Sequence, residues 1–132
     1  MDYKNKLHLE ALNYLVRDRK LSMDLIKFYK IGFCTDGYYK NRIIIPSFDL
    51  NSELNFFVTR VFQEYSKVKE KYLNPDGDKT KIIINESNIN WNETIYLVEG
   101  YFDLFALPIN TISLLGKDLK TNSLLFEKIL KY

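Results

Sequence analysis

Apolar residues in the first part of the chain recur at the spacing of α-helices. The first repeat falls every three or four positions, which predicts a helix with one buried face and with Arg17 and Arg19 among its solvated positions. Its apolar members are Leu7, Ala11, Leu12, Leu15 and Val16. A second helix is predicted to begin after Ser22, a favourable N-cap residue, and to end before Gly32. Its inward-facing residues are predicted to be Leu25, Ile26, Phe28 and Tyr29.

The middle of the chain changes to the short β-branched and aromatic runs that are typical of strands. Turn residues bound these runs, and Pro46 closes the first of them. The predicted strands are Arg42–Pro46, Leu54–Phe62 and Lys81–Asn85. We expect the first two strands to form an antiparallel pair, because only a short segment with a turn separates them.

The last third alternates between apolar runs and helical segments. The run from Ile95 to Val98 is continuously apolar, which predicts a strand buried on both faces, and Trp91 is predicted to anchor the preceding loop. The next predicted elements are a helix over Phe102–Leu107, a strand over Thr111–Leu115, and a helix over Thr121–Leu130 with Leu124, Leu125, Ile129 and Leu130 inward. This order predicts a βαβα unit with parallel strands and a right-handed crossover. The fold class is therefore α/β with an α+β lead-in: N-terminal helices and a small antiparallel sheet over 1–92, then the parallel unit over 93–132.

Composition narrows the function classes. An apolar fraction of 46% fits a globular protein, and a net charge of +2 is too small to mark a nucleic-acid-binding protein by itself. The single Cys and the single His exclude an internal disulfide and a Cys/His zinc site. No run reaches the length of a membrane span and no signal-peptide pattern opens the chain, so we expect a cytoplasmic protein without membrane contact.

Two acids lie where a parallel sheet binds its ligands, outside the carboxyl ends of its strands. Glu99 directly follows a predicted strand, and Gly100 permits the bend into the next helix. Asp103 follows one helical turn later and reaches the same space if the helix starts by Gly100. Spacing alone equally supports a second interpretation, in which both acids only complement a helix N-terminus. Gly116 occupies the equivalent end of the next strand, where such a turn can admit a phosphate.

Basic residues gather in the middle of the chain. Arg42 opens one strand, Arg60 lies near the end of its neighbour, and Lys71 follows them. With Lys67 and Lys69, they are compatible with a phosphate-binding surface of Arg forks and Lys point charges on rigid strands. A solvated charged face is the ordinary alternative for a cluster of this size.

Taken in order, a series of segments resembles the RNA polymerase core of the bacterial and phage DnaG-type DNA primases. The segments, which cover about residues 9 to 130, are Leu21-Ser22, Phe28-Tyr29-Lys30-Ile31-Gly32, Asn41-Arg42-Ile43-Ile44-Ile45-Pro46, Phe56-Phe57-Val58-Thr59-Arg60, Lys71-Tyr72-Leu73-Asn74, Leu97-Val98-Glu99-Gly100-Tyr101-Phe102-Asp103 and Leu114-Leu115-Gly116. The segment that contains Glu99 is similar to the opening of the TOPRIM module. The resemblance therefore favours a functional role of Glu99 over the helix-dipole alternative.

The resemblance implies a role for each matching residue. Glu99 corresponds to the TOPRIM acid that binds metal, and Asp103 corresponds to the second acid of the catalytic site. The nucleic-acid and nucleotide contacts that we expect are Arg42, Arg60, Lys71, Asn74 and Lys117. Such a site aligns a 3′-hydroxyl with a nucleoside triphosphate on a single-stranded DNA template, using Mg²⁺ or Mn²⁺ and no zinc.

Some positions depart from the family pattern. Pro75 stands where the family commonly has Ser, the glycines before Arg60 are absent, and Lys117 replaces a small hydroxyl residue. The Asp-x-Asp pair that TOPRIM proteins carry on a third parallel strand is also missing. The resemblance therefore implies weak metal binding and a chain that is inactive or incomplete alone.

Four functional hypotheses follow. The first is a primase-like fragment or split-gene half from a phage or mobile element. It would make RNA primers for DNA replication with a second polypeptide, and the complete system would also contact the replicative helicase. The second is a non-catalytic module that binds single-stranded nucleic acid. The third is another TOPRIM enzyme, such as a topoisomerase or nuclease relative, but the segment Lys71–Asn74 belongs to the primase lead-in and argues against it. The fourth is a degraded remnant without function.

Overall fold

The computed structural model describes residues 5–62, 70–116 and 118–132. The chain forms two compact units that exchange segments of sequence. The first unit comprises Met1–Pro46 and Phe57–Pro75, and the second unit comprises Ser47–Phe56 and Asp76–Tyr132. The division into 1–92 and 93–132 follows the modules of the related family and stays a prediction. Within the described ranges, no helix combines the length and the apolarity that crossing a membrane requires.

The first unit begins with helix α1, Lys6–Asn13, which continues as a π-helical segment over Tyr14–Asp18. The buried residues of these two segments are His8, Ala11, Tyr14 and Leu15. The prediction that Leu7 and Val16 face inward is wrong, because both side chains are exposed. The buried face is shifted by one position and begins at His8, so Leu7 lies at its margin.

Helix α2, Met23–Phe28, begins where the sequence predicts. The hydroxyl oxygen of Ser22 accepts the backbone N–H of Leu25 at 3.1 Å, which is the hydrogen bond of an N-cap. Ile26 is buried, whereas Phe28 is exposed, so the prediction that Phe28 faces inward is wrong. Two positions along a helix correspond to about 200° of rotation, which places these two residues on nearly opposite sides.

An antiparallel sheet follows, with the strand order β1-β2-β3. Its strands are β1 Gly32–Cys34, β2 Arg42–Phe48 and β3 Leu54–Val61. The short strand β1 was not predicted, because three residues beginning at a glycine give no alternating pattern. Strand β2 runs through Pro46, where the sequence predicted its end. Since β1 pairs only with residues 42–44, β2 has a single neighbouring strand at Pro46 and loses no bond to β1 there.

The core of the second unit is built around Ile83, Ile112 and Leu125, which are all buried. The partly buried residues that pack against them are Ile89, Trp91, Ile95, Leu114, Leu119, Leu124 and Ile129. The predicted anchoring of the preceding loop by Trp91 is therefore confirmed. The prediction that Leu130 faces inward is wrong, because its side chain is 72% exposed.

The predicted strand Lys81–Asn85 is not a strand. The chain forms a 3₁₀ turn over Lys79–Lys81 and then an irregular segment that ends at Asn85, whose φ is +68°. The buried amide of Asn85 donates to the backbone carbonyls of Ile109 and Thr111, each at 3.0 Å. A side chain therefore supplies the hydrogen bonds that a neighbouring strand would otherwise supply at this edge.

Two parallel strands form the second sheet. The elements of this part are β4 Tyr96–Val98, β5 Thr111–Ser113, 3₁₀ turns over Glu86–Asn88 and Phe102–Ala106, and helix α3 Leu124–Lys131. The predicted antiparallel and parallel strand pairs are thus confirmed. The expectation that Ile95–Val98 is buried on both faces is wrong, since Tyr96 and Leu97 are 42% and 40% exposed. Within the described residues β4 has only β5 as a neighbour, so its other edge lacks the cover of a central strand.

Candidate functional site

Glu99 lies at the carboxyl end of β4 in the second unit. Its backbone carbonyl accepts the hydroxyl of Ser113, a buried residue of β5, at 3.4 Å. The same hydroxyl oxygen accepts the backbone N–H of Leu115 at 3.2 Å, so Ser113 joins the ends of both parallel strands. The carboxylate of Glu99 is exposed and has no hydrogen-bond or ion-pair partner among the residues that the structure describes. A fixed backbone thus presents an acid that is available to a ligand.

Asp103 lies in the first turn of the 3₁₀ segment that follows. Its carboxylate accepts the backbone N–H of Gly100 at 3.3 Å. A Cβ atom at position 100 would lie 3.0 Å from that carboxylate oxygen, so the glycine permits the close approach. One oxygen of Asp103 therefore complements the start of the turn, as the helix-dipole interpretation predicts. The contact also fixes Asp103 beside the residue that follows Glu99.

The end of β5 leads into a cavity of the second unit with a volume of about 440 Å³. Its polar lining includes Asp78, Thr80, Ser113, Gly116 and Lys120. The sharp turn uses a positive φ of +54° at Leu115, whereas Gly116 has none. The predicted glycine turn is therefore present as a location, with the backbone strain at the residue before the glycine.

Asp78 stays ionised at the entrance of this cavity. The side-chain and backbone hydrogen bonds from Thr80 hold the pKa of the Asp78 carboxyl below its usual range, and the charges of Lys81 and Lys120 act in the same direction. The backbone N–H of Thr80 lies 3.0 Å from that carboxylate, which caps the following turn. This acid is therefore accounted for by local structure.

Arg42 is the most buried of the predicted basic residues, at 5% exposure. Its two terminal amino groups donate to the backbone carbonyls of Glu70 at 2.8 Å and Lys71 at 3.2 Å. A guanidinium group engaged in this way holds the backbone before Tyr72 in a fixed place. The geometry favours a positioning role for Arg42, and its predicted contact with nucleic acid stays a prediction.

The segment Lys71–Asn74 runs beside β3 in the first unit. Val61 donates its backbone N–H to the carbonyl of Lys71 at 3.0 Å, and the side-chain oxygen of Asn74 accepts the N–H of Thr59 at 3.2 Å. The Thr59 hydroxyl also donates to the backbone of this segment. The ammonium group of Lys71 is exposed and, within the described ranges, makes no ion pair.

Arg60 and Arg19 meet at the hydroxyl group of Tyr14. Arg60 also lies 4.7 Å from the centroid of the Tyr72 ring. The prediction that Arg19 is a solvated residue is wrong, because it is half-buried against these tyrosines. Burial lowers the pKa of Arg19, but the hydrogen bonds and partial charges of Tyr14 and Tyr72 outweigh it and raise that pKa overall. No local pattern indicated this contact, since the hydroxyl is buried by residues distant in sequence.

The predicted site residues fall into two groups. The first unit brings together Arg42, Arg60, Lys71 and Asn74 along β3, and the second unit brings together Glu99 and Asp103. Lys67, Lys69 and Lys117 lie outside the described residues. Among residues 5–62, 70–116 and 118–132, no group of three or more His, Cys, Asp or Glu side chains is arranged to hold a metal ion. Glu99 and Asp103 therefore offer two carboxylates, a set that suits a hydrated Mg²⁺ ion only when substrate phosphates complete its ligands.

Comparison with known proteins gives matches in both sequence and structure. A DNA primase from Mycoplasma pneumoniae is 34% identical over 186 residues, which cover 98% of this chain and 30% of that protein. No family model matches the chain. The catalytic core of the Escherichia coli primase superposes with a TM-score of 0.75 at 21% identity, over 96% of this chain and 54% of that one.

Two further solved structures include DNA. A DnaG primase catalytic domain bound to single-stranded DNA has a TM-score of 0.72 at 22% identity and covers 96% of this chain. The RNA polymerase domain of Mycobacterium tuberculosis DnaG in complex with double-stranded DNA has a TM-score of 0.78 at 14% identity and covers 98% of it. The chain spans 55% and 56% of these two solved chains. The likeness to the solved structures concerns the fold, and with the sequence match it confirms the resemblance found in the sequence.

Proposed function

We propose that this chain, which is similar in sequence and in fold to the RNA polymerase core of DnaG-type primases, contributes part of a primer-synthesis site. In this proposal it supplies a surface for single-stranded DNA template and the first acids of the catalytic centre. The observation that carries the proposal is the exposed Glu99 carboxylate at the carboxyl end of β4, whose backbone is tied to β5 through Ser113. Parallel α/β sheets bind their ligands at this edge.

The reaction is nucleotidyl transfer. The 3′-hydroxyl of the growing primer attacks the α-phosphorus of a nucleoside triphosphate, a new phosphodiester bond forms, and pyrophosphate leaves. A divalent ion, Mg²⁺ or Mn²⁺, neutralises charge on the phosphates when bound. Glu99 would hold this ion, and Asp103, kept in place by the N–H of Gly100, would lie beside it. Since Mg²⁺ requires six oxygen ligands, two carboxylates give weak affinity without substrate phosphates or further acids.

The template-binding surface is proposed to lie on the first unit. Arg60 and the exposed Lys71 would contact backbone phosphates, because their charged groups are presented from β3 and from the segment beside it. Arg42 and Asn74 would act by positioning that segment, since their polar groups bind its backbone and the backbone of β3. Lys117 remains a proposed nucleotide contact from the sequence resemblance.

The complete activity is proposed to require a second polypeptide. It would carry an Asp-x-Asp pair on a strand that extends the sheet at the free edge of β4, where Tyr96 and Leu97 are exposed. Association with the replicative helicase and a cytoplasmic place of action also belong to the proposal.

Primer synthesis by purified components tests the catalytic part. We expect the chain alone to make no RNA primers on single-stranded DNA with Mg²⁺ or Mn²⁺. Adding a polypeptide with the Asp-x-Asp strand should give primers, and Glu99→Gln should abolish them while leaving DNA binding intact. Primer synthesis by the chain alone would contradict the proposed incompleteness. Full activity of Glu99→Gln in the reconstituted system would remove Glu99 from the site.

A non-catalytic module for single-stranded nucleic acid is the second candidate. It is favoured by the small number of acids at the site, since the described residues hold no cluster that could ligate a metal ion by itself. This candidate predicts that Glu99→Gln changes nothing and that Lys71→Ala lowers DNA affinity. It is preferred if no added polypeptide restores synthesis while salt-dependent DNA binding persists.

A further inference from the structure

The hydroxyl group of Tyr14 holds two arginine side chains at one point of the first unit. Arg19 donates its Nε–H to the hydroxyl oxygen at 2.7 Å, and Arg60 donates its Nε–H to the same oxygen at 3.1 Å. Because both nitrogens lie within hydrogen-bond distance of one atom, the two guanidinium groups are neighbours. Arg19 follows the first helix and Arg60 belongs to β3, so folding places together two charges that are distant in sequence.

Aromatic rings fix the orientation of both groups. The guanidinium of Arg60 lies 4.7 Å from the centroid of the Tyr72 ring, and that of Arg19 lies 5.6 Å from the centroid of the Tyr14 ring. An arginine whose Nε and flat face are engaged still has the two terminal amino groups of its outer edge. Those groups of Arg60 have no hydrogen-bond acceptor in the part of the chain that the structure describes.

This arrangement suits an anion. Two neighbouring positive charges repel each other, and an uncharged hydroxyl oxygen does not offset that repulsion. An anion at the outer edges of both guanidinium groups removes the repulsion and accepts hydrogen bonds from two oriented forks. Arginine forks match the spacing of phosphate oxygens, and their fixed orientation limits the entropy lost on binding.

We propose that Arg19 is a further phosphate contact and that Arg19 and Arg60 together bind one backbone phosphate of single-stranded DNA. Tyr14 and Tyr72 are the positioning residues of this two-arginine subsite. The inference rests on the proposed template-binding function and deepens it, because it adds a residue from outside the segments that resemble the primase family. A purely structural role of Arg19 would instead lower stability and leave DNA binding unchanged.

The test compares single-stranded DNA binding across a salt series. Fluorescence anisotropy of a labelled oligothymidylate is measured for the unaltered chain, Arg19→Ala, Arg60→Ala and the double variant. Arg17→Ala is the matched control, because Arg17 is an exposed arginine close to Arg19 in sequence. We expect Arg19→Ala to lower affinity by about 10-fold at low salt and to reduce the salt slope by about 0.7, the value for one phosphate contact on a single strand. Arg17→Ala should leave the slope unchanged.

Tyr14→Phe tests whether the hydroxyl acts through the arginines. The substitution keeps the buried ring and removes the shared acceptor. It should weaken DNA binding in the unaltered chain and have no effect in the variant that lacks both arginines. An equal loss in both backgrounds would show that Tyr14 does not act through them and would overturn its positioning role.

A second variant at position 19 covers the case in which Arg19→Ala does not fold. Arg19→Gln keeps a hydrogen-bond donor near Tyr14 and removes the charge, so it should give the same loss of slope. Unchanged affinity and slope in the folded Arg19 variants would overturn the inference while Arg60→Ala still supports template binding. Absence of salt-dependent binding by the unaltered chain would overturn the proposed function itself and this inference with it.

Discussion

At the scale of single residues, the charged side chains of this chain do different work according to their burial. Arg42 is buried and uses both terminal amino groups on backbone carbonyls, whereas Lys71 is exposed and contacts none of the described acids. A buried charge needs such partners because desolvation is costly. The residue that resembles a ligand contact in the sequence therefore serves, by its geometry, to hold the segment that presents another charge.

Arg42→Lys tests this at the residue scale. A lysine ammonium is one point charge and cannot match the two-pronged contact with the carbonyls of Glu70 and Lys71. We expect the free energy of unfolding to fall by about 1–3 kcal/mol, the range for hydrogen bonds that involve a charged group. Urea denaturation followed by circular dichroism measures the change. Arg17→Lys, at an exposed position, should change little, and equal values for the two variants would show that the contact carries no stability.

At the scale of elements, capping hydrogen bonds determine where the helices begin. Ser22 accepts an N–H at the start of α2, and Ser123 accepts the N–H of Phe126 at 3.1 Å at the start of α3. Ser123 also donates its hydroxyl to the carbonyl of Lys120 at 2.6 Å. Because Ser123 is buried and Ser22 is exposed, water can replace the lost bonds only at Ser22.

The two serine caps give a matched pair of substitutions. Ser22→Ala should lower the free energy of unfolding by about 1 kcal/mol, as for an ordinary N-cap. Ser123→Ala should cost about 2 kcal/mol, since it also leaves a carbonyl unpaired away from water. Thermal or urea denaturation compares them directly. A larger loss for Ser22→Ala would contradict the account based on burial.

At the scale of the whole molecule, net charge does not reveal the proposed function. The chain carries 19 Lys and Arg against 17 Asp and Glu, so any nucleic-acid affinity must come from local clusters. The first unit provides such a cluster along β3, and the second unit provides the acids at the end of β4. Template binding and catalysis are therefore expected to respond to separate sets of substitutions.

The salt dependence of DNA binding is the prediction at this scale. If Arg19, Arg60 and Lys71 are the phosphate contacts, the logarithm of the association constant should fall against the logarithm of salt with a slope of about −2, at roughly −0.7 per contact. Isothermal titration or anisotropy over a salt series measures it. A slope near zero would contradict the surface, and a much steeper slope would require further basic residues.

The sequence by itself determined the features that depend on neighbouring residues. The N-cap at Ser22, the strands near Arg42 and Leu54, and the acid directly after an apolar strand all follow from periodicity and short-range hydrogen bonds. These interactions span only a few positions, so their residues can be recognised locally. The family resemblance rested on the same short segments and was confirmed by sequence and structural matches.

The tertiary structure alone decided which side chains meet. Arg42 is buried because the segment before Tyr72 supplies carbonyls for it, and Arg19 is half-buried because Tyr14 and Arg60 converge on it. Burial and partner choice depend on segments far apart in the chain, and no local pattern encodes them. For Glu99 the sequence gave the acid and its position, and the fold decided that its backbone is tied to the neighbouring strand while its carboxylate stays exposed.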